Sequence, residues 1–118
     1  DPYQALEEII ELGCDRILTS GQQKSAEQGI PLLKELEELN NSRIKLLAGC
    51  GVNESNIKKI ADTTGIREFH FSAREDIPSE MIYRRERIPM GSAITIDEFN
   101  RPVTTVKRVK DTIAQLYK

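Results

Sequence analysis

A glycine-rich turn, a single histidine and an arginine carry most of the chemistry this sequence can offer. Gly49-Cys50-Gly51-Val52-Asn53 joins the end of an apolar run to the start of a helical pattern. Glycines let a backbone approach a ligand, and N–H groups at a helix start attract anions, so this segment reads either as an anion cradle or as a tight turn. His70, the only histidine, lies in Glu68-Phe69-His70-Phe71-Ser72-Ala73-Arg74. As a strand, that run alternates, with Phe69 and Phe71 on one face and His70 and Ser72 on the other. The phenylalanines suit a face packed beneath helices, which leaves His70 and Ser72 pointing toward an open mouth. An imidazole there serves as an acid or base, a ligand, or a hydrogen-bonded structural group. Arg74 follows the strand and can pair bidentately with an anion or with a loop carboxylate. Thr19, Ser20 and Gly21 end another such run and either contact the same ligand or cap their own turn. None of these residues has a base at motif spacing, so no nucleophile triad can be drawn.

The thiols need separate treatment. Cys14 precedes one strand and Cys50 follows its neighbour, so the sheet separates them by roughly 20 Å at ~3.3 Å per residue. That excludes both a disulfide and a shared metal site. Cys50 and His70, at adjacent strand ends, are the better pair of metal ligands. Two ligands suffice for near-linear Cu(I), whereas zinc asks for more. Met81 and Met90 can add soft sulfur or serve as ordinary contacts.

These residues must be held by a repeating unit. Segments 15–20, 44–48 and 68–72 each read as a buried strand running into small or polar residues, with a helical pattern following the first two directly. Strand, small-residue turn and helix in succession predict parallel β/α units, with ligands at the carboxyl ends of the strands. Asp1 and Pro2 predict an opening helix with Leu6, Ile9, Ile10 and Leu12 in its stripe, ending at Gly13. After one helical turn over 25–28, Pro31 restarts a helix with Leu32, Leu33, Leu36 and Leu39 inward, stopped at Asn40-Asn41-Ser42. Asn53 caps a third helix carrying Ile57, Ile60 and Ala61 and ended by Gly65. Residues 75–101 show no steady period; they hold Pro78, Pro89 and the Arg84-Arg85-Glu86-Arg87 cluster, and Ser92-Ala93-Ile94-Thr95-Ile96 is a short extended piece. The stretch is too long for a plain connection, so it is functional, mobile or both, and a partner contact is one use for it. A last helix from about Thr105 places Val106, Val109, Ile113 and Leu116 on one side.

Composition sets the limits. The 118 residues fit one domain, and 38% hydrophobic with 31% charged residues at a net charge of -2 is a soluble globular balance. There is no basic excess to suggest nucleic acid or an anionic membrane, and no apolar run near the roughly 18 residues that span a bilayer. Two cysteines and the absence of a secretion-type start predict free thiols in a reducing cytoplasm. A helix before the first strand, and three parallel strands with two bare edges, predict the carboxyl-terminal part of a larger protein.

Taken together, Asp15-Arg16-Ile17-Leu18-Thr19-Ser20-Gly21, Gly29-Ile30-Pro31-Leu32, Ala48-Gly49-Cys50-Gly51-Val52 and Glu68-Phe69-His70-Phe71-Ser72-Ala73-Arg74 resemble the copper homeostasis protein family CutC. The resemblance implies an α/β fold, a (β/α)8 TIM barrel, of which residues 1–118 supply the last three β/α units and the carboxyl-terminal helix of one domain. It also implies a cytoplasmic, copper-binding protein with no assigned reaction, its cofactor or cargo being copper as Cu(I), and its assembly a homo-oligomer. Thr19, Ser20, Gly21, Gly49, Gly51, His70, Ser72 and Arg74 carry over as motif positions. The family usually has glycine where Cys50 stands and an aromatic residue where Cys14 stands, so neither thiol inherits a copper role; its proposed copper cysteines fall outside this chain. Against the copper reading stands an enzyme acting on a small phosphorylated or anionic metabolite at the strand mouths. A third reading is a barrel whose surface serves oligomerisation.

Overall fold

In the computed structural model, which describes residues 1–78 and 100–118, Asp1 opens helix α1 (Pro2–Glu11) by accepting the N–H groups of Tyr3 at 2.9 Å and Gln4 at 3.4 Å. This is the side-chain cap that the sequence predicts. Leu6 is buried, and Ile9 and Ile10 pack beside it. Leu12 does not join the stripe: it is the C-cap residue, past the last helical position, and is 79% exposed. Gly13 then turns the chain at a φ of +83°.

Three parallel strands follow, β1 (Arg16–Thr19), β2 (Lys45–Gly49) and β3 (Glu68–His70), in the order β1-β2-β3. The register pairs Thr19 with Ala48 and Gly49 with His70, so the carboxyl ends of the strands lie level. Leu46 and Ala48 of β2 are buried against the helices with Ile44, Val52 and Ile66. Helix α2 (Ile30–Asn40) contributes Ile30, Leu33 and Leu36, and α3 (Ile57–Thr64) contributes Ile57 and Ile60. A fully buried Leu or Ile side chain stabilises by about 1.5–3 kcal/mol, so these residues hold the layer together.

Two expectations for these helices shift by a few residues. Leu39 is exposed at 42%, and Asn40 takes the inward position as the last residue of α2, before Asn41 leaves the helix in the left-handed region at φ +49°. Asn53 caps a turn rather than α3 itself. Its Oδ1 accepts from Ser55 N, its carbonyl accepts from Ile57 N, and the helix begins at Ile57 and ends at Gly65 with φ +82°.

The chain forms two compact units, Asp1–Ser72 with Asp111–Lys118 and, separately, Ala73–Lys110. In the second, β4 (Arg74–Pro78) pairs antiparallel with β5 (Asn100–Thr104). This corrects the expectation of an aperiodic stretch beginning at 75 and of 68–72 as the last strand. Thr105 N–H donates to Ala73 O at 3.1 Å, and the Thr105 hydroxyl donates to Glu75. Helix α4 (Val106–Gln115) starts where expected, with Thr105 Oγ1 accepting from Arg108 N. Its buried residue is Thr112, whereas Val106 and Ile113 are exposed at 70% and 42%. The stripe is thus split, with Val109 and Leu116 half-buried and Leu116 packed on the core. Met81, Met90, Pro89, the arginine cluster at 84–87 and the extended piece at 92–96 lie outside the described residues. Among the described residues no helix is long and apolar enough to cross a membrane.

Candidate functional site

Alternation along β1 to β3 sorts the side chains into two faces. Ile17 and Phe69 join Leu46 and Ala48 beneath the helices, while Leu18 and His70 stay exposed on the other face. At the carboxyl ends, Leu18, Thr19, Ser20, Gly49, Cys50 and His70 line one cavity of about 380 Å³. The structure thus gathers five of the residues singled out from sequence, and adds Leu18, which its apolar character disguised as core. A Cβ on Gly49 would lie 2.6 Å from Leu18 Cδ1 and 3.4 Å from His70 Cβ, so the bare backbone gives both side chains room.

The remaining candidates fall elsewhere. Gly21 and Gly51 lie in the loops that follow β1 and β2, at φ +70° and +74°. Ser72 is exposed beyond the end of β3. Arg74 opens β4, in the second unit.

The hydroxyls at the mouth are engaged with their own loop. Thr19 Oγ1 accepts from Gly21 N at 3.0 Å, and Ser20 Oγ donates to Gln23 O at 2.8 Å. Cys50 ties this loop to the next one: its carbonyl accepts from Ala26 N at 2.8 Å, and its Sγ donates to Lys24 O at 2.9 Å. Asn56, which sequence reasoning missed, fixes the glycine turn. Its Nδ2 donates to Gly51 O at 2.8 Å, and its Oδ1 accepts from Asn53 N at 2.9 Å. The N–H groups of Asn53, Ser55, Asn56 and Ile57 are all bonded within the loop. The loop's own atoms thus occupy these four N–H groups, which precede or open α3.

Cys50 sits at φ +82°, a conformation that costs a residue with a Cβ about 1–2 kcal/mol. Cys50→Gly and Cys50→Ala both lose the thiol, but only glycine relieves the strain. The glycine variant should be about 1 kcal/mol more stable than the alanine variant in urea unfolding. Equal midpoints would show that the backbone at residue 50 is unstrained.

The two thiols are exposed and unbridged, and Cys14 lines a different cavity, with Asp15, Arg16 and Lys45 at the amino ends of the strands. Among the described residues no three His, Cys, Asp or Glu side chains gather as metal ligands. The cavity therefore offers one thiol and one imidazole, a donor set for two-coordinate Cu(I) and not for tetrahedral zinc. Lower on the same face, Arg16 Nε meets Glu68 Oε1 at 2.8 Å and Lys45 Nζ lies 3.7 Å from Glu68 Oε2. The Arg16 hydrogen bond, with the charges of Arg16 and Lys45, holds the Glu68 carboxyl below its usual range.

Residues 1–75 match the CutC family, and the match covers all three parallel strands and the whole cavity. The chain belongs to the CutC family. A CutC family protein of Bacteroides fragilis is 66% identical over 116 residues, which are 98% of this chain and 46% of that protein. A CutC family protein of Vibrio campbellii is 44% identical over 116 residues, 98% of this chain and 47% of its own length. The chain spans about half the length of the CutC relatives it matches. The crystal structure of a CutC protein from Streptococcus agalactiae, whose name assigns it provisionally to copper homeostasis, superposes with a TM-score of 0.54 at 30% identity. It covers 58% of this chain and 33% of that one.

Proposed function

We propose that this chain is the carboxyl-terminal part of a single (β/α)8 barrel domain that handles copper in the cytoplasm, as a homo-oligomer and without an assigned reaction. The observation that carries the reading is the likeness to the Streptococcus agalactiae protein, named for copper homeostasis, beside the CutC match over residues 1–75, which include the parallel sheet. Three level parallel strands with a cavity at their carboxyl ends are what such a barrel would present there. Cu(I) is the cargo, and Cys50 and His70 are the side chains at this mouth that can hold it. A thiolate and a neutral imidazole would supply near-linear coordination, at the cost of the Cys50 bond to Lys24 O.

A Cu(I) competition titration tests this on the chain and on its Cys50→Ser and His70→Ala variants. Affinity should fall at least about tenfold in each, since each removes one of two donors. Binding that both variants retain would move the copper site away from this mouth. No binding by the parent would remove the copper reading for this chain and turn attention to small anionic metabolites.

A further inference from the structure

Three side chains that line the cavity spend their polar atoms on one short stretch of backbone. Thr19 Oγ1 accepts from Gly21 N at 3.0 Å, Ser20 Oγ donates to Gln23 O at 2.8 Å, and Cys50 Sγ donates to Lys24 O at 2.9 Å. Gln22, Gln23 and Lys24 are exposed, so this stretch runs over the surface while side chains of the mouth fasten it. Gln22 sits at φ +61°, a left-handed conformation that a residue with a Cβ keeps only where its surroundings hold it. The ends are fixed independently. Gly21 is buried where it crosses Gly29, Ser25 O accepts from Gly29 N at 3.0 Å, and Ala26 N donates to Cys50 O at 2.8 Å.

A ligand that takes a polar atom of this mouth therefore competes with the strap at 22–24. Cys50 is the sharpest case. When its S–H bond breaks, the proton passes to water and the sulfur pair forms a bond to the metal; nothing is oxidised or reduced. The sulfur then has no hydrogen to give, and the Lys24 carbonyl does better bonded to water. We propose that residues 22–24 form an occupancy-coupled strap: capture of the Cys50 thiolate by a soft metal ion releases it into solvent between Gly21 and Ser25. With Cu(I) as that ion, the inference rests on the copper reading, and it adds that a filled mouth alters the protein's outer surface.

Lys24 makes the strap its own reporter, since trypsin cleaves after lysine and cleavage tracks the population of the released form. Cys50→Ala should be cut after Lys24 at least about threefold faster than the parent, the effect of losing one modest hydrogen bond. Cys50→Ser keeps a hydroxyl donor and the same backbone strain, so it should stay nearer the parent. Cleavage after Lys34, within α2, should match in all three and so separates strap release from general unfolding. Equal Lys24 rates in the parent and Cys50→Ala would overturn the strap. Cu(I) should raise the parent's Lys24 rate to that of Cys50→Ala and leave the variant unchanged. Copper that binds through Cys50 without changing the rate would overturn the coupling. If copper does not bind, the copper reading fails by itself and iodoacetamide becomes the probe. It forms an S–C bond as iodide leaves and the thiol proton passes to water, so it removes the same donor. Faster cleavage of the alkylated parent, absent in alkylated Cys50→Ala, keeps the strap; an unchanged rate overturns it.

Discussion

Gly29→Ala is expected to destabilise the first unit by more than about 3 kcal/mol. Backbone geometry is not the reason, because Gly29 has an ordinary φ of −86°. The obstacle is the crossing of two chain segments. A Cβ on Gly29 would lie 1.8 Å from Ser20 O and 2.9 Å from Gly21 Cα, and a Cβ on Gly21 would lie 2.4 Å from Gly29 O. Backbone meets backbone, so no rotamer change relieves the clash. Gly29 N–H is held by Ser25 O at 3.0 Å and Ala26 N–H by Cys50 O at 2.8 Å, so retreat would break bonds on the other side. The carbonyl in the way belongs to Ser20, a lining residue of the cavity, so a fold that survived would carry a displaced mouth. Gly13→Ala is the control. Gly13 sits at φ +83° with nothing within 4 Å of a Cβ, so it should show conformational strain alone, about 1–2 kcal/mol. Urea midpoints compare the two, and a Gly29 variant no worse than the Gly13 variant would refute the crossing.

How far this arrangement could be read from the chain depends on how local each cause is. The strands were legible because apolar runs such as Ile44-Lys45-Leu46-Leu47-Ala48 end in glycine, and both burial and turn are local properties. The level mouth followed from parallel connection, which brought Thr19, Ser20, Gly49, Cys50 and His70 together from three separate motifs. The pairing of β4 with β5 was hidden, because Arg74-Glu75-Asp76-Ile77 and Arg101-Pro102-Val103-Thr104 lack apolar alternation and partners such as Arg74 and Thr104 are far apart in sequence. The stripe of α4 shows a related limit. Hydrophobic spacing reports which face could be buried, and here Thr112 faces inward, with its hydroxyl 3.4 Å from Glu54.

Polar residues at apolar positions were the signal left unread. Leu33, Leu36 and Asn40 occupy one stripe of α2 at spacings of three and four, so Asn40 stands where an inward leucine was expected. Read as a stop signal, Asn40 leaves Leu39 as the predicted inward residue. An asparagine on a buried stripe must find partners, and the backbone of the next strand is within reach. Asn56 repeats the pattern one unit later, clamping the loop after β2 as Asn40 clamps the loop before it. Buried amides at helix ends therefore set where β2 begins and where its mouth loop lies, and so fix the height of Gly49 and Cys50 beside His70.

Asn40→Ala should accordingly cost about 3 kcal/mol, although the residue touches no part of the cavity. Asn40 is fully buried, donating through Nδ2 to Ile44 O at 2.6 Å and accepting from Ile44 N at 3.0 Å through Oδ1. Truncation leaves both backbone groups of buried Ile44 unpaired, at about 1–3 kcal/mol each, offset in part by relaxation. Leucine is closer in size but leaves the same two groups orphaned, so it should not rescue. Aspartate separates the two bonds. Its carboxylate can accept from Ile44 N–H but repels Ile44 O, which raises its folded pKa above the unfolded ~3.9. A raised acid destabilises the fold at pH above that folded pKa, and the loss disappears as pH falls through it, because the protonated form can donate to Ile44 O. Asn40→Asp should therefore regain more stability between neutral pH and about pH 4 than Asn40→Ala, whose deficit changes with pH only through Glu37, a carboxyl that burial raises and the Asn40 side chain lowers. Parallel behaviour of the two variants across that range would mean that the amide's donation to Ile44 O contributes nothing, and that β2 is positioned by packing alone.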